Sequence, residues 1–119
     1  MYSTPAKPYT NAGVCSIRLK DDKAAEDYLL RAIKLDSENV QGMYWLADLT
    51  YRQGRAADAR QWIQQLEKRM DLPANATWLA LRIERKLGNR DGEARQTTRL
   101  RRIFPNAPET QKMQQGDYE

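Results

Sequence analysis

The sequence contains no histidine and a single cysteine, Cys15, among its 119 residues. One cysteine cannot form a disulfide within the chain, and without histidine neither a zinc site nor a Ser-His-Asp triad can be assembled. The six glycines are scattered, so a glycine-rich phosphate loop is also missing. We therefore predict that the chain is not an enzyme and binds no cofactor or metal.

Long apolar runs are missing as well. No segment approaches the ~20 apolar residues of a membrane-spanning helix, and Met1 does not lead into the charged and apolar regions of a signal peptide. The hydrophobic content of 40% and charged content of 30% are those of a globular protein. The apolar residues are mostly Leu, Ile and Ala with few Val, which favours helix over strand.

The net charge of +4 is concentrated in residues 82–102, where eight basic residues face three acidic ones. A polyanion-binding face, and with it nucleic-acid binding, is one interpretation of this segment. A solvated helix surface with pairs of opposite charge one turn apart is the more ordinary one. We predict protein partners and no nucleic acid.

A period of 34 residues runs through the chain. Gly54 and Gly88 lie 34 apart, and each follows a basic-rich helical stretch, TYRQGR or ERKLGN. Other small or apolar residues recur at the same offset: Gly13 with Ala47, Ala25 with Ala59, Leu29 with Ile63, and Ala32 with Leu66. A 34-residue period is that of the tetratricopeptide helix–turn–helix unit.

The apolar spacing and the proline-marked breaks predict six helices, at 8–19, 22–36, 40–53, 56–70, 75–87 and 91–103, and a short capping helix at 109–115. The fold class is all-α, a tetratricopeptide-repeat solenoid in one domain. Repeats are expected at about 6–39, 40–73 and 74–107, followed by a cap and tail at 108–119. Asn75 is expected to cap the fifth helix, and the final QGDYE to fray.

Small residues at fixed positions are expected where the paired helices touch. Gly54 and Gly88 are predicted to adopt positive φ in the turns, where glycine has no Cβ penalty; Lys20 takes that place in the first unit. The third unit carries one more residue between its glycine and its alanine. The predicted structural positions are Gly13, Ala25, Ala32, Leu46, Ala47, Gly54, Ala59, Gly88 and Ala94.

The first helix of each repeat would line a concave face that binds a partner. Aromatic rings beside arginines suit peptide capture, because rings supply contact area and guanidinium groups supply directed donors. An alternative is that Tyr51 and Ile17 belong partly to the core and that the arginines keep the surface soluble. The predicted groove residues are Thr10, Val14, Ile17, Arg18, Tyr44, Asp48, Tyr51, Arg52, Trp78, Arg82, Arg85 and Lys86.

Particular stretches resemble one family of repeat proteins. YTNAGVCSIRL, LADLTYRQGRAADAR, LRIERKLGNRD and LRRIFPNAPE are similar to the second half of the type IV pilus biogenesis and stability lipoproteins, the tetratricopeptide pilotins of the outer membrane. The resemblance covers nearly the whole chain. It implies a C-terminal fragment of a longer protein that has a signal peptide and a lipid-carrying cysteine.

The resemblance also implies a role and a location. Such proteins are anchored on the periplasmic side of the outer membrane and help the pilus secretin reach that membrane or form its multimer. The partners would be the secretin and other pilus-assembly components, with membrane association only through a lipid anchor absent from this chain. Cys15 matches a cysteine that pairs with an upstream repeat in some members; a small buried thiol is the alternative.

A different class of function stays open beside this one, a generic cytoplasmic tetratricopeptide adaptor or chaperone unrelated to pili.

The first repeat starts without a polar cap. We therefore expect the fold to continue upstream, and the exposed first helix to support a dimer of the fragment.

Overall fold

A computed structural model describes residues 6–118 of the chain, and within that range the backbone forms seven α-helices and no strand. They are α1 (Ala6–Arg18), α2 (Asp22–Leu35), α3 (Val40–Arg52), α4 (Ala56–Glu67), α5 (Ala74–Leu87), α6 (Arg90–Ile103) and α7 (Pro108–Gln114). The prediction of an all-α chain is confirmed. The largest difference in bounds is at α4, which ends at Glu67 rather than at residue 70.

The helices pair in chain order: α1 packs on α2, α3 on α4 and α5 on α6. The contacts divide the chain into two compact units with their boundary between residues 70 and 71. The first unit holds α1–α4, and the second holds α5–α7. The three-repeat, single-domain organisation stays a prediction.

The turn inside each helix pair has the same geometry three times. One residue adopts a left-handed conformation, Lys20 with φ 60°, Gly54 with φ 81° and Gly88 with φ 73°. Its N–H donates to the carbonyl three residues back, and the next N–H donates five residues back, which is the Schellman arrangement. Gly54 and Gly88 thus have the positive φ predicted for them.

Three helices begin at a side chain that accepts a backbone N–H. Asp21 caps α2, Asn39 caps α3 and Asn89 caps α6. The expected cap at Asn75 is wrong: α5 begins at Ala74, and the Asn75 carboxamide accepts only from the adjacent Ala76 N–H. Pro73 precedes the helix, and its fixed φ of −70° starts the turn earlier than expected.

The core of the first unit consists of small and aliphatic side chains from all four helices. Gly13 touches α2 so closely that an added Cβ would lie 2.7 Å from Leu29 Cγ. Most of the predicted structural positions of this unit are buried: Gly13, Ala25, Ala32, Leu46, Ala47 and Ala59. Removing these groups from water stabilises the unit at about 25 cal/mol per Å² of apolar area.

Polar links join the helix pairs of the first unit. Asn39 Nδ2 donates to the buried Thr10 Oγ1 at 2.7 Å, which connects the start of α3 to α1. Arg55 Nη1, before α4, donates to Glu26 Oε1 of α2 at 3.0 Å. Hydrogen bonds to Glu26 and then Asp58 raise the pKa of the exposed Arg55 guanidinium.

The second unit departs from the predicted register in α6. Ala94 is exposed, so its assignment as a close-contact residue is wrong. Gly92 takes that role, and a Cβ added there would lie 2.7 Å from Glu84 Cδ of α5. Asn89 starts α6 directly after Gly88, as Arg55 starts α4 directly after Gly54, so Ala94 lies one residue farther from the start of its helix than Ala59 does and is turned outward.

The end of the chain also departs from expectation. Trp78, Leu81, Leu100 and Met113 form the core cluster of the second unit, and Phe104 and Tyr118 pack against it. The capping helix is present as α7, which contacts α5 and α6. Fraying from residue 115 onward is therefore wrong as far as Tyr118; Glu119 lies outside the described residues. Among residues 6–118, no helix has the length and apolarity needed to cross a bilayer.

Candidate partner-binding surfaces

The first unit carries one of two candidate surfaces, on α3. Tyr44 is half-buried, and its ring meets Trp45 edge-on, with the centroids 5.4 Å apart. One turn later, Arg52 Nε donates to Asp48 Oδ2 at 3.0 Å. A guanidinium has five N–H donors, so this ion pair holds the Arg52 side chain in place while leaving donors for a partner.

The neighbouring helix α1 extends this surface, because α1 contacts α3 directly. Val14 and Ile17 are half-buried, and Arg18 is exposed. Thr10 is 3% exposed and bonded to Asn39, so it serves the packing of α1 against α3 instead of a partner. We call the remaining residues the α1–α3 surface: Val14, Ile17, Arg18, Tyr44, Asp48, Tyr51 and Arg52.

The predicted groove residues of the second unit form a different kind of site. Trp78 is 5% exposed and lies in the core cluster, so it does not face solvent as an open groove residue would. The chain's own Tyr118 covers it: the two rings stack with an interplanar angle of 20° and centroids 5.6 Å apart. We call Trp78, Arg82 and Arg85 the α5 ledge.

Two arginines of the α5 ledge contact these rings. The Arg82 guanidinium carbon lies 5.4 Å from the centroid of the Trp78 ring, and that of Arg85 lies 4.0 Å from the Tyr118 centroid. Arg85 Nη1 also reaches Glu93 Oε2 at 3.1 Å, which holds the guanidinium beside the ring. Trp78, Arg82 and Arg85 are spaced i, i+4 and i+7, so a single face of α5 carries them.

Opposing contributions act on the Tyr118 ring that covers the α5 ledge. A ring stack contributes about 0.5–1.5 kcal/mol beyond the area it buries, and a cation–π contact at an exposed site about 0.5–1 kcal/mol. Fixing the backbone of each residue costs roughly 1–2 kcal/mol. This cost opposes the contacts of Tyr118, which the exposed residues Gly116 and Asp117 connect to α7.

Tyr118 is the residue of the candidate site that reasoning from the sequence missed. Gly116 has φ 73°, and the bonds Gly116 N to Met113 O and Asp117 N to Lys112 O repeat the turn found at Gly54 and Gly88. A glycine just past a helix, followed two residues later by an aromatic, was the available signal. It predicts a chain that reverses its direction after α7.

The basic segment 82–102 is partly used inside the protein. Arg99 Nη2 donates to Leu72 O at 2.8 Å and its Nε to Thr77 Oγ1 at 3.3 Å. Arg85 is paired with Glu93. Some of the positive charge of this segment is therefore used in contacts between α6 and α5: Arg99 of α6 bonds to residues at the start of α5, and Arg85 of α5 pairs with Glu93 of α6.

Cys15 is exposed on α1 as a free thiol, so the alternative of a small buried thiol is wrong. Pairing of Cys15 with an upstream segment stays a prediction. Within residues 6–118, no three acidic or thiol side chains lie close enough together to hold a metal ion.

Comparison with known proteins places these features in context. No family model matches the chain. It is 24% identical over 114 residues, 96% of its length, to the type IV pilus assembly protein PilF of Pseudomonas aeruginosa. In structure it is similar to PilW, a widely conserved type IV pilus biogenesis factor, with a TM-score of 0.86, 26% identity and 96% of this chain covered.

The chain resembles type IV pilus biogenesis proteins with tetratricopeptide repeats. The resemblance and the fold class predicted from the sequence are thereby confirmed. The solved structure of Pseudomonas aeruginosa PilF gives a TM-score of 0.83 at 23% identity over 93% of this chain, and the N-terminal domain of stress-induced protein-1 from C. elegans gives 0.76 at 21% over 96%. These two comparisons support the fold alone.

The chain spans about half the length of the pilus relatives it matches, 45% of the PilF sequence and 52% of the PilW chain. These relatives are repeat scaffolds, a class of protein that is generally non-enzymatic, and no catalytic family is shown for the chain.

Proposed function

We propose that this chain is a non-catalytic protein–protein interaction scaffold of type IV pilus biogenesis. The observation that carries the proposal is its match to PilW, which extends over 96% of the chain at a TM-score of 0.86. The specific role is assistance in the outer-membrane localisation or multimer assembly of the pilus secretin. The site of action is the cell envelope, at the periplasmic side of the outer membrane.

The physical basis of the scaffold is the rigid packing of its helix pairs. Leu29, Leu46 and Ala47 are fully buried, so the helices that carry the α1–α3 surface are held in a fixed relation within the first unit. A partner then binds without the cost of ordering the surface first. Tyr44, Tyr51 and Arg52 supply the aromatic area and guanidinium donors that dominate such interfaces.

The test is co-purification of the secretin with the full-length protein from cells that make pili. We expect Tyr44→Ala combined with Arg52→Ala to lower the recovered secretin at least fivefold. A matched control is Gln61→Ala combined with Gln64→Ala, which changes two exposed side chains of α4. Equal recovery with both pairs would remove the α1–α3 surface as the contact, and no recovery with the unchanged protein would remove the secretin as the partner.

A further inference from the structure

The α5 ledge holds an aromatic side chain. The Trp78 ring stacks on that side chain, the Arg82 guanidinium lies over the Trp78 ring, and the Arg85 guanidinium lies over the ring that stacks. Glu93 holds Arg85 by an ion pair at 3.1 Å, so the site is organised by the protein around it. In this structure the chain's own Tyr118 fills it.

The turn at Gly116 explains how Tyr118 reaches the ledge. Three equivalent turns, at Lys20, Gly54 and Gly88, send the chain into the second helix of a pair, whereas the turn at Gly116 leads to Asp117 and Tyr118. Gly116 therefore directs Tyr118 toward α5. Gly116 and Asp117 are exposed, so the Tyr118 ring makes the contacts that a competitor has to break.

The sequence of this segment shows which chemistry the ledge accepts. Asp117 and Glu119 flank Tyr118 in the sequence, so the segment reads acid–aromatic–acid, and α5 carries the cations Arg82, Arg85 and Lys86 after Trp78. The two segments therefore have opposite charge, and charge complementarity of this kind selects a partner and its register. An external segment with the same pattern would satisfy the same contacts.

We propose that the α5 ledge binds an acidic peptide segment of a partner through an aromatic residue, and that Tyr118 is an internal competitor that closes the site until the partner displaces it. The inference rests on the proposed scaffold role and names the chemistry of one contact within it. A site that is closed for most of the time binds its ligand with an affinity reduced by the fraction that is open.

The experiment measures fluorescence anisotropy of a labelled peptide, Gly-Asp-Tyr-Glu-Gly, titrated with the protein and its variants. We expect Tyr118→Ala to bind roughly five- to tenfold more tightly than the unchanged chain, because a tail bound for about 80–90% of the time lowers the apparent affinity by that factor. Adding Arg85→Gln should reverse the gain. Adding Arg90→Gln, which removes the same charge from an exposed site on α6, should leave it.

Two control peptides separate aromatic recognition from general attraction to a basic face. Replacing the peptide's tyrosine with alanine should abolish binding, and replacing its acids with lysines should weaken it at least tenfold. Equal binding of the unchanged chain and Tyr118→Ala, or equal binding of the alanine peptide, would overturn the proposal. Circular dichroism of each variant verifies that the helices are intact.

A second copy of the chain is the remaining occupant to test. Sedimentation velocity over a hundredfold range of concentration tests this, and we expect the same monomer for the unchanged chain and for Tyr118→Ala. A dimer that forms with Tyr118 and is lost in Tyr118→Ala would mean that the ledge binds Tyr118 of another copy, and it would overturn the assignment to a partner. The peptide result is independent of the secretin result. Binding of the peptide without recovery of the secretin would refute only the proposed pilus role. Recovery of the secretin without binding of the peptide would refute only the proposal that the α5 ledge binds a peptide.

Discussion

Lys20 and Gly54 adopt the same left-handed backbone conformation, with φ 60° and 81°, at equivalent turns of the first two helix pairs. For a residue with a Cβ that conformation costs about 1–2 kcal/mol. Glycine avoids this cost but loses more backbone entropy on folding. The turn geometry is therefore common to both pairs, while only one of them has the residue that adopts it most easily.

We expect Lys20→Gly to raise the free energy of unfolding by roughly 0.5–1 kcal/mol, because the relief of the left-handed strain exceeds the added chain entropy. Urea unfolding followed by circular dichroism measures it. The reciprocal variant, Gly88→Lys, should lower stability by about 1–2 kcal/mol. A loss of stability in Lys20→Gly would show that the lysine side chain itself supports the turn.

The contact between Gly13 and Leu29 allows no side chain on α1 at this point. An added Cβ would lie 2.7 Å from Leu29 Cγ, and Leu29 is fully buried. We expect Gly13→Ala to destabilise the chain by about 1–3 kcal/mol, the usual range for overpacking, although alanine is the better helix former. Asn11→Ala, at an exposed position of the same helix, is the control and should change the thermal midpoint little.

The Asn39 side chain makes two hydrogen bonds, and two different substitutions can measure their contributions separately. Its Oδ1 accepts from Gly42 N–H as a helix cap, and its Nδ2 donates to Thr10. We expect Asn39→Ala to cost about 2–3 kcal/mol in unfolding free energy, because both bonds are lost. Asn39→Asp keeps the cap and loses the donor, so it should cost less than Asn39→Ala; equal costs would mean that the link to α1 contributes nothing.

Met113 belongs to the core cluster of the second unit, and Tyr118 packs against it. We expect the two side chains to contribute differently to the free energy of unfolding. Met113 is 5% exposed on α7, so Met113→Ala should cost about 2–5 kcal/mol by leaving a cavity. Tyr118→Ala should cost only about 1 kcal/mol, because a ring that is bound for about 80–90% of the time contributes no more than that. Thermal unfolding of the two variants compares them, and an equally large loss for Tyr118→Ala would exclude a displaceable tail.

The positions of the helices could be predicted from the sequence, because residues such as Leu29, Ile63 and Leu66 repeat at helical spacing and the glycines mark the turns. The prediction was wrong in α6, where a difference of one residue changes which side chains face the neighbouring helix. With Asn89 capping α6 directly, Ala94 is rotated away from the position that Ala59 has on α4, because each residue turns a helix by about 100°.

The candidate surfaces were harder to predict than the fold. Helical spacing places Trp78, Arg82 and Arg85 on one face of α5, but it does not indicate what packs on that face. The Trp78 ring stacks on Tyr118, forty residues later, which the turn at Gly116 directs toward it. A contact between residues so far apart in sequence follows from tertiary packing, which local patterns do not report.

The central claim is that the protein assists secretin assembly through the α1–α3 surface, and the multimeric secretin in the outer-membrane fraction measures it most directly. Cells would carry the full-length protein unchanged, with Tyr44→Ala and Arg52→Ala, or with the α4 control pair Gln61→Ala and Gln64→Ala. We expect the first pair to lower the multimer severalfold at constant total secretin, and the control pair to leave it unchanged. Full multimer in cells that lack the protein altogether would contradict the claim.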